Sequence, residues 1–124
     1  MTIKGIGVDL ARIPRLREIL TRWDDRFLRR VFTEEEIAYC QRRRDPVPHF
    51  AARFAAKEAL AKALGAPAGM HWHDAEVQTD ETGRPWLEIT GTVATQASRL
   101  GVQSLHLSLS HDAGIASAVV ILEG

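Results

Sequence analysis

The chain has 124 residues, of which 45% are hydrophobic and 26% charged, a composition typical of an ordinary globular protein of one core. We therefore predict a single domain over residues 1–124. There is no run of about 18 apolar residues and no signal-peptide pattern at Met1 to Lys4, so we expect a cytoplasmic protein and no membrane partner. The single Cys40 excludes an internal disulfide and is expected to be inert.

Equal numbers of basic and acidic residues, sixteen of each, conceal an uneven distribution along the chain. Residues 1–62 contain fourteen Lys or Arg against nine Asp or Glu, whereas residues 74–124 contain two against seven. The basic half predicts a positive surface for an acidic protein, a phosphate-rich ligand or nucleic acid, and a solvated surface without a partner is the alternative. Because aromatic residues are only 6% of the chain and no stacking motif accompanies the arginines, we expect no nucleic-acid partner.

The first two predicted elements are a strand and a helix. Residues Ile3 to Leu10 alternate in character as in a half-buried strand, with Asp9 on the face of Gly5 and Gly7 and opposite the aliphatic face. Apolar residues from Ile13 to Leu20 then recur at helical spacing among arginines, which predicts a short basic amphipathic helix.

Two more helices are predicted in the middle of the chain. Thr33 followed by three glutamates, with Glu36 able to complete a capping box, predicts a helix start and an end near residues 42–44. After a proline-rich interruption, an alanine-rich helix is predicted from about Pro48 to Leu64, with Gly65 as a left-handed cap.

The remainder predicts a hairpin, a helix and a second hairpin. The first hairpin pairs Trp72–Thr79 with Pro85–Thr90, and the helix covers Thr92–Leu100. The last two strands flank a turn at residues 111–114. The predicted fold class is α+β, with a mainly antiparallel sheet packed on helices.

Three residues suggest a metal and phosphate site. Glu58 and Lys62 lie four apart on one face of the alanine-rich helix, which alone is most simply a surface ion pair. The glycines beside Asp9 leave its strand face without bulk, so that the helix bearing Glu58 could pack closely against it. Two carboxylates meeting there need a cation, and hard oxygen ligands favour Mg²⁺, particularly when substrate phosphates complete its coordination. Lys62, one turn further, would face those phosphates.

Five segments, in order, resemble the holo-acyl carrier protein synthase family of phosphopantetheinyl transferases. They are GIGVDL from Gly5, FTEEE from Phe32, FAARFAAKEALAKALG from Phe50, GRP from Gly83 and LSLSH from Leu107. The resemblance spans nearly the whole chain. It implies transfer of 4'-phosphopantetheine from coenzyme A to a serine of an apo-acyl carrier protein, with release of adenosine 3',5'-bisphosphate, for fatty acid biosynthesis.

The resemblance also implies roles for particular residues. Asp9 and Glu58 match the family's Mg²⁺ ligands, and Lys62 matches the lysine that contacts the transferred phosphate. The serine proton could pass to either carboxylate or to water. Family members form trimers with active sites between subunits, which implies a coenzyme A pocket completed by a neighbouring chain. The residues implied for that pocket, besides Lys62, are Arg53, Gly65, Arg84, Pro85 and His111.

Arg15 and Arg22 match positions at which the family holds the acidic carrier protein. One departure concerns the loop after Gly65, where Ala66-Pro67 replaces the family's usual threonine-glycine pair, so a hydroxyl contact to coenzyme A is absent from that position. Two other functions stay open at this point: a non-catalytic basic module that binds an acidic protein, and a different Mg²⁺-dependent nucleotide phosphotransferase.

Overall fold

Two antiparallel sheets and five helices make up the fold in the computed structural model, which describes residues 1–23 and 25–124. The strands are β1 (Ile3–Arg12), β2 (Ala75–Thr79), β3 (Pro85–Ile89), β4 (Ser104–Asp112) and β5 (Ile115–Glu123). The helices are α1 (Ile13–Trp23), α2 (Asp25–Val31), α3 (Glu34–Gln41), α4 (Pro46–Ala63) and α5 (Gly91–Arg99), with a short 3-10 helix at Trp72–Asp74. The predicted α+β class with antiparallel sheets packed on helices is confirmed.

The larger sheet has the strand order β1-β5-β4, and one of its faces is covered by α4. In the register of this sheet, Asp9 of β1 lies opposite Ala118 of β5, which lies opposite Leu109 of β4. Alternate residues of β5 are fully buried on the covered face, including Ala116, Ala118 and Val120. Because side chains alternate across a strand, Asp9 points toward α4 and not toward solvent on the far side of the sheet.

The burial of β1 is the reverse of what its sequence suggests. Asp9 does lie opposite the aliphatic face, as predicted, but the buried face is the one that carries the glycines. Gly7 is buried against α4, whereas the side chains of the aliphatic face are exposed: Ile6 64%, Val8 55% and Leu10 66%. The reason is steric, since only a strand face without side chains lets the backbone of α4 approach this closely.

The helix boundaries agree with the prediction except in two places. Thr33 caps α3 and forms the full capping box with Glu36. Gly65, with φ +86°, follows the last turn of α4 as the predicted left-handed residue. However, α4 begins at Pro46 because Asp45 caps it through Val47 N, and proline is well tolerated in the first turn. The helix α2 was not predicted, since its seven residues are too short for a clear apolar period.

The first hairpin is shorter than predicted. The segment Trp72–Asp74 is a 3-10 helix rather than strand, and β2 starts at Ala75. Asp74 instead stabilises the first turn of α5. Its carboxylate accepts hydrogen bonds from the Thr92 N–H and hydroxyl groups. The helix α5 and the final hairpin lie close to where they were predicted. The last turn is shorter than predicted, residues 113–114 rather than 111–114, because His111 and Asp112 still pair with β5.

A buried ion pair links three parts of the core. Lys57 of α4 donates to the Glu36 carboxylate at 2.8 Å and to the carbonyl oxygens of Trp72 and Ala75, and both charged side chains are almost fully buried. Glu36 also accepts from Val77 N–H in β2. All three ammonium protons therefore have acceptors, which ties α3, α4 and the first hairpin together.

Two further features bear on the expectations from sequence. In the part of the chain that the structure describes, no helix is both long and apolar enough to cross a membrane. Cys40 is fully buried, and burial raises the pKa of its thiol to about 12, which agrees with an inert side chain.

Candidate active site

The candidate site lies where β1 crosses α4. A Cβ atom built on Gly7 would overlap the carbonyl oxygen of Ala59, and one built on Gly5 would overlap that of Ala63. The two glycines therefore let the strand lie directly on the helix backbone, which brings Asp9 to the side of α4 that carries Glu58 and Lys62. The predicted close approach of strand and helix is confirmed.

Lys62 forms an ion pair with Asp9 rather than with its helix neighbour Glu58. Its Nζ atom lies 2.9 Å from Asp9 Oδ1 and also donates to the Val8 carbonyl oxygen at 3.1 Å. The side chains are 53% and 15% exposed, so the lysine reaches the strand from the solvent side. The hydrogen bond that Lys62 donates to Asp9 raises the pKa of the Lys62 ammonium, which therefore stays charged at neutral pH.

Glu58 lies partly buried on the same side of the helix. Burial raises the pKa of its carboxyl group, the negative charge of Asp9 raises it further, and Lys62 acts in the opposite direction. The carboxylate also borders a mainly apolar cavity of about 250 Å³ lined in part by Met70, Trp72 and Val93. The negative charge of the Glu58 carboxylate is therefore only partly balanced by positive groups of the protein.

This donor set fits a Mg²⁺ ion that shares its coordination with phosphate oxygens. Asp9 and Glu58 supply hard carboxylate oxygens from two rigid elements, and the repulsion between them is what a cation relieves. Within residues 1–23 and 25–124, no group of three or more His, Cys, Asp or Glu side chains could hold a metal ion. Proteins usually bind Mg²⁺ through one or two carboxylates, and substrate phosphates supply further oxygen ligands.

The other predicted coenzyme A residues form a second group, most of it at the first hairpin, with His111 in the final hairpin. Arg53 is buried on α4, and its Nη2 atom donates to Thr79 Oγ1 at 3.1 Å. Thr79 pairs with Pro85 across the hairpin, and Arg84 precedes Pro85 at the exposed turn. His111 lies at the end of β4, with its ring centroid 6.4 Å from that of His49.

One chain does not bring the two groups together. Arg53 precedes Lys62 by nine residues on α4, which corresponds to about 13 Å along the helix axis. His111 is displaced from Asp9 by two strands and two residues in the register of the sheet, or roughly 12 Å between Cα atoms. A single ligand that contacts both groups must therefore be long or must lie between two chains.

The remaining predicted residues are exposed. Gly65 donates to the Lys62 carbonyl oxygen, and Ala66 after it adopts a left-handed φ of 51°, which is rare for a residue with a side chain. Arg15 and Arg22 lie two turns apart on α1, so they share one helix face.

Several interactions near the site were not predicted from sequence. Arg17 of α1 forms a bidentate ion pair with Asp45, the cap of α4. Tyr39 of α3 contacts the guanidinium groups of Arg43 and Arg53. Tyr39 and Arg43 are four residues apart, a spacing that brings side chains together on a helix. The other two contacts join residues that are far apart in sequence, so no local pattern could have indicated them.

The site and fold together define a class of protein. The family model described as the 4'-phosphopantetheinyl transferase superfamily matches residues 5–119. The chain therefore belongs to that superfamily.

Individual relatives define a narrower group within this superfamily. The holo-[acyl-carrier-protein] synthase of Streptomyces avermitilis is 55% identical over 124 residues, the full length of both chains. A crystal structure of the synthase from Neisseria meningitidis matches with a TM-score of 0.90 and 28% identity, covering 99% of this chain and 100% of that one. The Helicobacter pylori synthase in complex with coenzyme A matches with a TM-score of 0.84 and 32% identity, covering 95% and 99%. This similarity places the chain among the holo-[acyl-carrier-protein] synthases.

Proposed function

We propose that the protein transfers 4'-phosphopantetheine from coenzyme A to a serine of an apo-acyl carrier protein and releases adenosine 3',5'-bisphosphate. The observation that carries this proposal is the meeting of Asp9, Glu58 and Lys62 at the glycine-lined contact between β1 and α4. The names of the relatives support it, as does a similar structure described as a complex with coenzyme A.

The reaction exchanges one phosphorus–oxygen bond for another. The serine Oγ attacks the β-phosphorus of coenzyme A, and the bond from that phosphorus to the bridging oxygen breaks, leaving its electron pair on the bisphosphate. Mg²⁺, held by Asp9 and Glu58, would supply positive charge to the pyrophosphate oxygens. Lys62 binds a phosphate oxygen and stabilises the charge that gathers on the leaving group, or donates a proton to it. The serine proton passes to one of the two carboxylates or to water.

The rest of the coenzyme A pocket comes from Arg53, Gly65, Arg84, Pro85 and His111. Gly65 lies three residues after Lys62, whereas Arg53, Arg84 and Pro85 lie at the first hairpin and His111 lies in the final hairpin. Their separation from Asp9 and Lys62 within one chain supports the expectation that a neighbouring subunit completes each site.

The exposed face of the larger sheet supports a homotrimer of this kind. Apolar side chains of β1 and β5 lie side by side there, since the exposed Val8 pairs with the exposed Val119, and the exposed Ile6 pairs with the half-buried Ile121. A contiguous apolar surface of this type on a small protein is typical of an interface. The number of subunits, three, rests on the family resemblance.

The carrier protein is expected to bind at α1, where Arg15 and Arg22 share an exposed face in the basic half of the chain. Opposite charge steers association and weakens with salt. We further infer that the 124 residues form one catalytic domain, since the two core clusters share Ala11 and Leu109, and that it serves fatty acid biosynthesis in the cytoplasm.

The proposal is tested by intact-mass spectrometry of an apo-acyl carrier protein incubated with the chain, coenzyme A and Mg²⁺. We expect a gain of about 340 Da, one phosphopantetheine group, and no gain with chelator or with Glu58→Gln. Glu88→Gln, an exposed carboxylate on β3, is the matched control. If no apo carrier gains mass, the chain is a binding module and the carboxylates are structural.

A further inference from the structure

The ring of Tyr39 contacts two arginine side chains. The Cζ atoms of Arg43 and Arg53 are each 4.0 Å from the ring centroid. Both guanidinium groups are therefore within cation–π distance of the same ring. Tyr39 attracts both through its π-electrons and so favours an arrangement that keeps two like charges near each other.

Arg53 has an unused hydrogen-bond donor inside the protein. The residue is only 4% exposed, and its Nη2 atom is bound to Thr79. Its Nε atom is buried and has no hydrogen-bond partner among the described residues, and no carboxylate of residues 1–23 and 25–124 forms an ion pair with its guanidinium. A buried charged group of this kind is costly unless an anion completes it.

Two histidines extend the same cluster away from the tyrosine. The ring centroid of His49 lies 6.3 Å from that of Tyr39 and 6.4 Å from that of His111. Burial lowers the pKa of His49, and the charges of Arg43 and Arg53 lower it further. The cluster is thus dominated by positive charge, although Glu35 borders the adjoining cavity of about 240 Å³ and Asp45 lies near His49.

We propose that Tyr39 is a positioning residue that holds Arg43 and Arg53 in place for a phosphate group of coenzyme A. This rests on the proposed function. The ring contacts both guanidinium groups, so that both are oriented before the ligand binds. The cluster lies about 13 Å along α4 from Lys62 of the same chain, so it holds a phosphate other than the one that this Lys62 contacts.

The test compares Tyr39→Leu, which removes the ring, with Tyr39→Phe, which retains it. Binding of coenzyme A to the full chain is measured by titration calorimetry, and kcat and KM are measured in the transfer assay. We expect Tyr39→Leu to weaken coenzyme A binding and to raise its KM by about tenfold, as two cation–π contacts suggest, with kcat changed less than about twofold. Tyr39→Phe should bind within about twofold of the wild type.

The same measurements with dephospho-coenzyme A identify the phosphate. If the ribose phosphate is bound by the cluster, Tyr39→Leu weakens binding of coenzyme A but not of dephospho-coenzyme A. If a pyrophosphate oxygen is bound, both ligands lose affinity equally. A Tyr39→Leu variant that binds both ligands like the wild type overturns the proposal, as does a Tyr39→Phe variant that is equally impaired.

Two further sets of variants distinguish a positioning role of Tyr39 from a general structural role. In the double variant Arg43→Met/Arg53→Met, the additional Tyr39→Leu change should have little effect, because the ring acts through these two arginines. If Tyr39→Leu does not fold, Arg43→Met, an exposed change, must raise the KM for coenzyme A, and an unchanged KM overturns the proposal. Absence of carrier modification by the wild type, with coenzyme A binding intact, would count against the proposed function but not against this role.

Discussion

Adding a single methyl group at Gly7 should separate the two halves of the site. A Cβ atom there would overlap the carbonyl oxygen of Ala59 and lie 2.9 Å from the Ala63 nitrogen, so β1 must withdraw from α4 by about 1 Å. Because these neighbours are backbone atoms, they cannot rotate away, and we expect Gly7→Ala to cost about 3 kcal/mol of unfolding free energy. That loss corresponds to a fall in Tm of roughly 10 °C.

The same displacement should damage catalysis beyond its effect on stability. Asp9 is carried by β1 and Glu58 and Lys62 by α4, so their relative positions change directly. A misplacement of about 1 Å can cost roughly 100-fold in rate. Transfer is measured at a temperature where urea titration shows that both proteins are folded.

The control is Gly101→Ala, which adds the same methyl group away from the site. Gly101 has φ +76° and room for a Cβ atom, so the change costs about 1 kcal/mol of backbone strain and should leave kcat unchanged. A Gly7→Ala variant with wild-type Tm and turnover would refute the argument that close packing builds the site.

Four other changes have definite expected outcomes. Glu58→Gln should raise stability at pH 7 in chelator by about 0.5 kcal/mol, because the raised pKa of Glu58 marks a carboxylate disfavoured in the folded state. This gain should disappear as the pH falls below the ordinary carboxyl pKa, and a gain that persists at pH 3 would contradict it. Lys57→Met should cost about 4 kcal/mol in urea unfolding, since Glu36 is left buried and unpaired, and a loss below 1 kcal/mol would contradict this. Val8→Asp should reduce the mass measured by light scattering to that of one chain, and an unchanged mass would exclude this face as the interface. Arg15→Glu should raise the KM for the carrier protein at low salt more than at high salt, whereas equal effects would argue against steering.

Elements with a strong local signal were predictable from sequence. The capping box at Thr33, the alanine-rich α4 ending before Gly65, and the final hairpin each combine a periodic pattern with a start or stop residue. The 3-10 helix at Trp72–Asp74 and the short α2 were missed because neither spans enough residues for a period to appear.

The candidate site was predictable to the extent that it depends on sterics. Two glycines on one strand face indicated a close contact, and the structure confirms that α4 makes it. The burial of that face was not foreseen, because an alternating aliphatic pattern normally marks the buried side. In this chain the aliphatic side is exposed, and the proposed interface between subunits is the physical reason that we give for retaining it.

Contacts that depend on tertiary packing could not be foreseen. Lys57 and Glu58 are neighbours in sequence with opposite environments, one fully buried against Glu36 and the other beside Asp9. Likewise, nothing in the spacing of Tyr39 and Arg53 reveals that the ring and the guanidinium group stack between two helices.

The most direct test of the central claim is a single-turnover measurement of phosphopantetheine transfer by Asp9→Asn, Glu58→Gln and the double variant, with Asp25→Asn as the exposed control. If the two carboxylates act as one site, each single change lowers the rate by about 100-fold or more, and the double variant loses little further. A wild-type rate in either single variant would contradict the account. So would a double variant whose loss of rate equals the product of the two single losses, as expected for independent positions.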